Sequence, residues 1–294
     1  MRQLNQNLRS HLSGQVLGSI SLAIAISLGA CTQGQTQTSN SPTISPTPLS
    51  SPTVQAQVSK PSTTTDSSFS AMSAQELFDR GQEKARRRDY QGAIEDWTEA
   101  IKLKPNFPEA YYNRGLARSM VGDKQGEIQD YDQAIKLKPD YAKAYYNRGL
   151  ARYESGDKQS AIQDYNQAIR VKPDYALAYN NRGFVRSELG DKQGAIQDYD
   201  QAIRLQPNFA RAYNNRGSVR YELGDKQGAI QDYDQASKIL LDDAGMYFDR
   251  GSTRARLGDK QGAIADLQKA ADLFQRQGNT GDYQKVIKLL EKLK

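Results

Sequence analysis

The sequence predicts an all-α fold, a solenoid of stacked helix pairs, on three observations. Glycine recurs at Gly81, Gly115, Gly149, Gly183, Gly217 and Gly251, each 34 residues after the last, and Ala100, Ala134, Ala168, Ala202, Ala236 and Ala270 keep step with it. A fixed period of this length marks units that bury their apolar faces against one another rather than around one central core. The composition agrees: 37% of the 294 residues are hydrophobic, 25% are charged and the mean hydropathy is -0.78, which suits a thin core.

The chain opens with an export signal over residues 1–30. Arg2 and Arg9 give it a positive start, with no acidic residue before Asp66, and Val16 to Leu28 reads VLGSISLAIAISL, uncharged and apolar. Thirteen such residues match the core of a signal peptide and fall short of the roughly 20 that a spanning helix needs. The run Leu28-Gly29-Ala30-Cys31 resembles a bacterial lipobox. The resemblance implies that the Cys31 thiol is lipidated and becomes the mature N-terminus; the plainer alternative is a secretory signal with an incidental cysteine. A lipidated chain would sit in the bacterial cell envelope, anchored to a membrane and facing the periplasm or the exterior.

Residues 31–73 read as a disordered linker. They are rich in Ser, Thr, Pro and Gln, hold five of the ten prolines, and carry only Lys60 and Asp66 as charges. Such a segment buries too little apolar surface to offset the entropy of ordering it. As a coil it would span roughly 35–40 Å, the dimensions of a tether.

Six units follow, at 74–107, 108–141, 142–175, 176–209, 210–243 and 244–277. Each reads as two antiparallel helices, A and B. In the third unit, helix A (AKAYYNRGLARYES) ends at Gly156, expected in the left-handed conformation, and Asp157 caps helix B (KQSAIQDYNQAIRVK), which Pro173 stops. Gly149 and Ala161 let the helices approach, while Tyr145, Ile162, Tyr165 and Ala168 fill the contact. With prolines in register at Pro105, Pro139, Pro173 and Pro207, this Gly, Ala, aromatic and Pro pattern resembles the tetratricopeptide repeat (TPR) family over residues 74–277. The resemblance implies a right-handed α-solenoid of six TPR pairs. Residues 278–294 contain Val286, Ile287, Leu290 and Leu293 at helical spacing, a capping helix for the last repeat, or in a sharper reading a helix that docks a partner.

One departure from the family pattern is shared by every copy. Arg80, Arg114, Arg148, Arg182, Arg216 and Arg250 precede the glycines where an apolar residue is usual, and Lys84, Arg118, Arg152, Arg186, Arg220 and Arg254 follow one turn later on the same face. Helix B supplies Asp96, Asp130, Asp164, Asp198, Asp232 and Asp266. Two bases and one acid per unit predict a ladder of ion pairs; the alternative is a basic stripe for nucleic acid or another anionic ligand. Local defects stand out as well. Glu127 takes a slot that is alanine in the other five units and should loosen the second pair. Arg88 replaces the capping glycine, and Leu241 and Gln275 replace the stop proline.

The resemblance further implies that A helices line a concave groove for peptide. Asn113, Asn147, Asn181 and Asn215 stand two residues before the glycines, with Asp79 and Asp249 in the end units. A carboxamide donates and accepts, as a peptide group does. Phe78, Tyr112, Tyr146 and Phe248 offer aromatic surface where Asn180 and Asn214 do not, and Leu116, Leu150 and Phe184 give way to Ser218 and Ser252. The peptide-binding candidates are therefore Asn113, Asn147, Asn181, Asn215, Asp79, Asp249, Tyr112 and Tyr146.

The function expected is a protein–protein interaction scaffold with other proteins or peptides as partners, and with the membrane reached through the lipidated Cys31. No cofactor, metal, catalytic residue, small-molecule substrate or nucleic acid is expected. The one histidine, His11, lies in the signal, so after cleavage at Cys31 neither His nor a free thiol remains for zinc or nucleophilic chemistry. An enzyme with an unrecognised carboxylate site is the remaining alternative.

Overall fold

The structure, a computed structural model, describes residues 72–293. The signal, Cys31 and all of the linker but Met72 and Ser73 lie outside them. The described residues form thirteen helices, without strands. They are α1 (Ala74–Arg86), α2 (Tyr90–Leu103), α3 (Pro108–Val121), α4 (Lys124–Leu137), α5 (Ala142–Glu154), α6 (Lys158–Val171), α7 (Ala176–Glu188), α8 (Lys192–Leu205), α9 (Ala210–Glu222), α10 (Lys226–Ile239), α11 (Ala244–Arg256), α12 (Lys260–Arg276) and α13 (Thr280–Leu293). Odd-numbered helices up to α11 are the A helices and even-numbered ones the B helices. Two compact units result, one ending at Asn106 and holding the first pair, the other running from Phe107.

Each A–B hairpin is built by the same local chemistry. Gly122, Gly156, Gly190, Gly224 and Gly258 take positive φ after helix A, and in the first hairpin Arg88 is forced there at φ 66°. An L residue with a side chain is strained in that conformation. An aspartate then caps helix B: Asp157 accepts from the Ser160 N–H, and Asp89, Asp123, Asp191, Asp225 and Asp259 accept from a glycine N–H three residues on. The last B helix, α12, runs for 17 residues, whereas α10, which lacks the stop proline as well, ends after 14 like the others. At the start, Ser73 and Glu76 form a reciprocal capping box on α1.

Within a pair the helices meet at the recurring glycine. A methyl group on Gly149 would stand 2.9 Å from Tyr165 Cε1, closer than packing allows. Ala161, Tyr165 and Ala168 are fully buried there, with Tyr145 and Ile162 packed at the edge. Trp97, Tyr131, Tyr199 and Tyr233 occupy the same slot in other pairs, and Leu267 in the sixth. The indole of Trp97 donates to the Phe78 carbonyl, whereas the buried Tyr131 hydroxyl has no partner.

The second pair is not loosened by Glu127. The Gly115–Tyr131 approach, 2.8 Å on the same measure, is as tight as in the third pair. The Glu127 side chain avoids wedging the helices apart by turning along its own helix to Lys124, 3.1 Å away. At the other end, α13 lays Val286, Ile287, Leu290 and Leu293 against Leu267, Leu273 and Phe274 of α12, which closes the last repeat as a capping helix does.

Candidate functional site

Two polar systems run through the stack. The first is the charged seam, which all six pairs form. Arg148 Nη2 lies 2.6 Å from Asp164 Oδ1, and Arg152 Nη1 lies 2.8 Å from Asp164 Oδ2. Arg80 and Lys84 hold Asp96, Arg114 and Arg118 hold Asp130, Arg182 and Arg186 hold Asp198, Arg216 and Arg220 hold Asp232, and Arg250 and Arg254 hold Asp266. The carboxylates are buried and the arginines mostly covered; Asp164 is 2% exposed and Arg148 14%. Burial works against the Arg148 charge, but bonds to Asp164 and Asp132 outweigh it and raise its pKa. These arginines are therefore engaged by the carboxylates of helix B, as the ion-pair ladder expected from the sequence requires.

The seam also joins one repeat to the next. Arg148 reaches back to Asp132 at 2.6 Å, Arg216 to Asp200 and Arg250 to Asp234, and Arg182 bonds the neutral Asn166 in that register. A second set of ties, Lys124–Glu154, Lys158–Glu188 and Lys192–Glu222, links the starts of three B helices to the ends of the following A helices. The sequence reading missed both sets, although Asp132, Asp200 and Asp234 recur in step.

The second system runs along the A helices and contains the peptide-binding candidates. Asn147 Nδ2 donates to the Tyr112 hydroxyl at 2.9 Å, Asn181 Nδ2 to Tyr146 at 3.0 Å and Asn215 Nδ2 to Asn180 Oδ1 at 3.1 Å. Each bond connects a residue to one 35 positions earlier, so the asparagines of one A helix grip the neighbouring A helix. Asn113, Asn147 and Asn215 are buried and Asn181 is half-buried. Tyr112 and Tyr146 are buried too, 2% and 4% exposed, and pack at a tilt against Tyr131 and Tyr141 and against Tyr165 and Tyr175 respectively. The expected aromatic surface is thus interior at these two positions. Burial, relieved in part by Arg211 and the bond from Asn181, pushes the Tyr146 hydroxyl up to about 12. In the first unit Asp79 is exposed and accepts from Gln75.

Asp249 is different. It is half-buried, and burial together with Asp243 pushes its carboxyl up to about 7 against a bond from Asn214. Glu127 is displaced likewise, also to about 7, by burial that Lys124 only partly offsets, and burial raises Asp130 too. Among the described residues no group of three or more His, Cys, Asp or Glu side chains could hold a metal ion, and no helix is long and apolar enough to cross a membrane.

A family profile described as TPR repeat matches residues 77–122, 128–156, 150–190 and 185–224, and one described as tetratricopeptide repeat matches 108–141, 210–239 and 244–276. The chain belongs to the tetratricopeptide repeat family. Among solved structures, this TPR chain is similar to MamA, at 28% identity and a TM-score of 0.53 over 56% of this chain and 91% of that one. It shares the fold of YrrB, described as a TPR protein with an unusual peptide-binding site (20% identity, TM-score 0.54, 66% and 97% covered). It also shares the fold of PilW, described as a widely conserved type IV pilus biogenesis factor (19% identity, TM-score 0.63, 73% and 98% covered). No curated protein matches the sequence. TPR units of this kind are scaffolds for interaction with other proteins and generally carry no catalysis.

Proposed function

We propose that this chain holds extended polypeptide segments in the groove lined by its A helices, and that a lipid on Cys31 anchors it to a membrane of the bacterial envelope. The observation that carries the groove reading is the register of one carboxamide or carboxylate per A helix, at Asn113, Asn147, Asn181, Asn215 and Asp249. Packed helices lie about 8–10 Å apart, close to three residues of extended chain at about 3.3 Å each. A ladder of that pitch meets every third peptide group whatever the side chains. In this reading Asn113, Asn147 and Asn215, with Tyr112 and Tyr146, form the floor, and the half-buried Asn181 and Asp249 are the rungs a ligand reaches. Asp79 stands at the same register of the first unit. The unusual peptide-binding site of YrrB and the part of PilW in pilus biogenesis are consistent with such work.

The anchor rests on the lipobox-like run Leu28 to Cys31 and on a linker long enough to hold the repeats clear of a bilayer. Mass spectrometry of the mature protein should find Cys31 at the N-terminus carrying lipid; an unmodified Cys31 would remove the anchor from the reading. The groove is tested by changing Asn113, Asn147, Asn181 and Asn215 to Ala and titrating peptides selected on the wild type. Asn181 acts by a direct contact worth about 0.5–1.5 kcal/mol, and the floor asparagines act by holding neighbouring A helices in register, so affinity should fall similarly for peptides of unrelated sequence. Unchanged affinity in a folded quadruple variant would move the site off the A helices.

A further inference from the structure

The A-helix ladder changes polarity between repeats five and six. At the three junctions before it a carboxamide donor meets an oxygen of the preceding repeat: Asn147 to Tyr112, Asn181 to Tyr146, Asn215 to Asn180. Asp249 occupies the asparagine position at the last junction and has no proton to give when ionised. Asn214 must then donate to Asp249, and its own Oδ1 is left buried with no partner. One turn along α11 from Asp249, the Ser252 Oγ is also buried without a partner. On α10 the Tyr233 hydroxyl, which is close enough for Asp249 to oppose its ionisation, spends its proton on Ser218 at 3.3 Å. The surroundings of Asp249 are rich in acceptors, and no cation among the described residues lies within ion-pairing distance of it, whereas Asp232 and Asp266 each hold two arginines.

We propose that this junction receives the ammonium or guanidinium end of a lysine or arginine side chain from the bound polypeptide. The inference rests on the groove reading above and adds a side-chain preference to it. A lysine ammonium brings three donors and no acceptor, an arginine guanidinium five. Either one donates to the Asp249 carboxylate and brings donors to a junction whose Asn214 and Ser252 oxygens lack partners. The charge that burial and Asp243 now suppress on Asp249 is restored when a cation arrives. The groups that act on this carboxyl are Asp243, the cap residue ahead of its own helix, Tyr233 on α10 and Asn214 on α9. The sequence as a whole carries a formal charge of +6, so long-range attraction does not account for a basic ligand.

The experiment is selection of a random nine-residue peptide library on the full chain and on Asp249→Asn, which restores the residue that four other repeats carry. The wild type should enrich peptides with Lys or Arg at one fixed position, and Asp249→Asn should lose that preference while still selecting peptides. One enriched lysine peptide is then titrated beside its norleucine counterpart. The lysine peptide should bind roughly tenfold to hundredfold tighter, the usual worth of a charged hydrogen bond, and tighter still as pH rises through 7, where Asp249 becomes free to ionise. Enriched peptides with no basic position, or equal binding of the two, would overturn the inference and leave the groove reading intact. A library that yields no enrichment on a folded chain would overturn both.

Discussion

Arg148 grips Asp164 along two edges, with Nη2 2.6 Å from Oδ1 and Nε 3.1 Å from Oδ2, in a seam where Asp164 is almost wholly shielded from water. The fork geometry matches the carboxylate, and Arg152 completes the satisfaction of its oxygens. Replacing Asp164 with Asn should cost about 3–5 kcal/mol, since it leaves two covered guanidinium groups short of their counter-charge. Urea denaturation of the variant checks this. A midpoint equal to wild type would mean that the arginines are solvated in solution.

Gly149→Ala tests the closeness of the helices. The new methyl would fall 2.9 Å from the Tyr165 ring and 3.1 Å from Asp164 Cβ, both of which are locked, so a loss of about 1–3 kcal/mol is expected. Gly156→Ala meets open space, but at φ 89° it should still cost about 1–2 kcal/mol through backbone strain alone. Thermal melts of the two variants separate steric from conformational cost.

Arg88 is the reverse case. It holds the left-handed conformation that glycine holds in the later hairpins. Arg88→Gly should stabilise the first repeat by about 1 kcal/mol, measured as a higher midpoint of denaturation.

Glu127 makes stability depend on pH. Its carboxyl, pushed from 4.5 up to about 7, keeps its proton in the fold at pH values where the unfolded chain has lost it. The folded state then binds more protons, so its contribution is complete below pH 4.5 and is lost as pH rises through about 7. Glu127→Ala, the residue of the other five repeats, should raise the melting temperature most on the alkaline side and flatten the slope between those values. Asp249 and Asp130, displaced in the same direction by burial, should contribute to the slope that remains.

The intra-repeat seam was legible in the sequence because a hairpin of fixed length brings Arg148, Arg152 and Asp164 together in any pair of this register. Contacts between repeats were not, because they depend on how far each pair is rotated on the last. The 35-residue bonds from Asn147 to Tyr112 and from Asn181 to Tyr146 belong to that class, as does the reach of Arg148 to Asp132. Glu127 misled for another reason. Substitution of a buried alanine by an acid reads as a packing defect, and only the helix geometry shows that Lys124, three residues earlier, can draw the carboxylate aside.

Site-specific photo-crosslinking in intact cells that make the protein tests polypeptide binding by the A helices most directly. A photoreactive side chain at Leu177, 36% exposed on α7, should form crosslinks to polypeptide, while one at the exposed Gln163 on the B helix α6 should form few. Crosslinks from Gln163 with none from Leu177 would contradict a groove on the A-helix side.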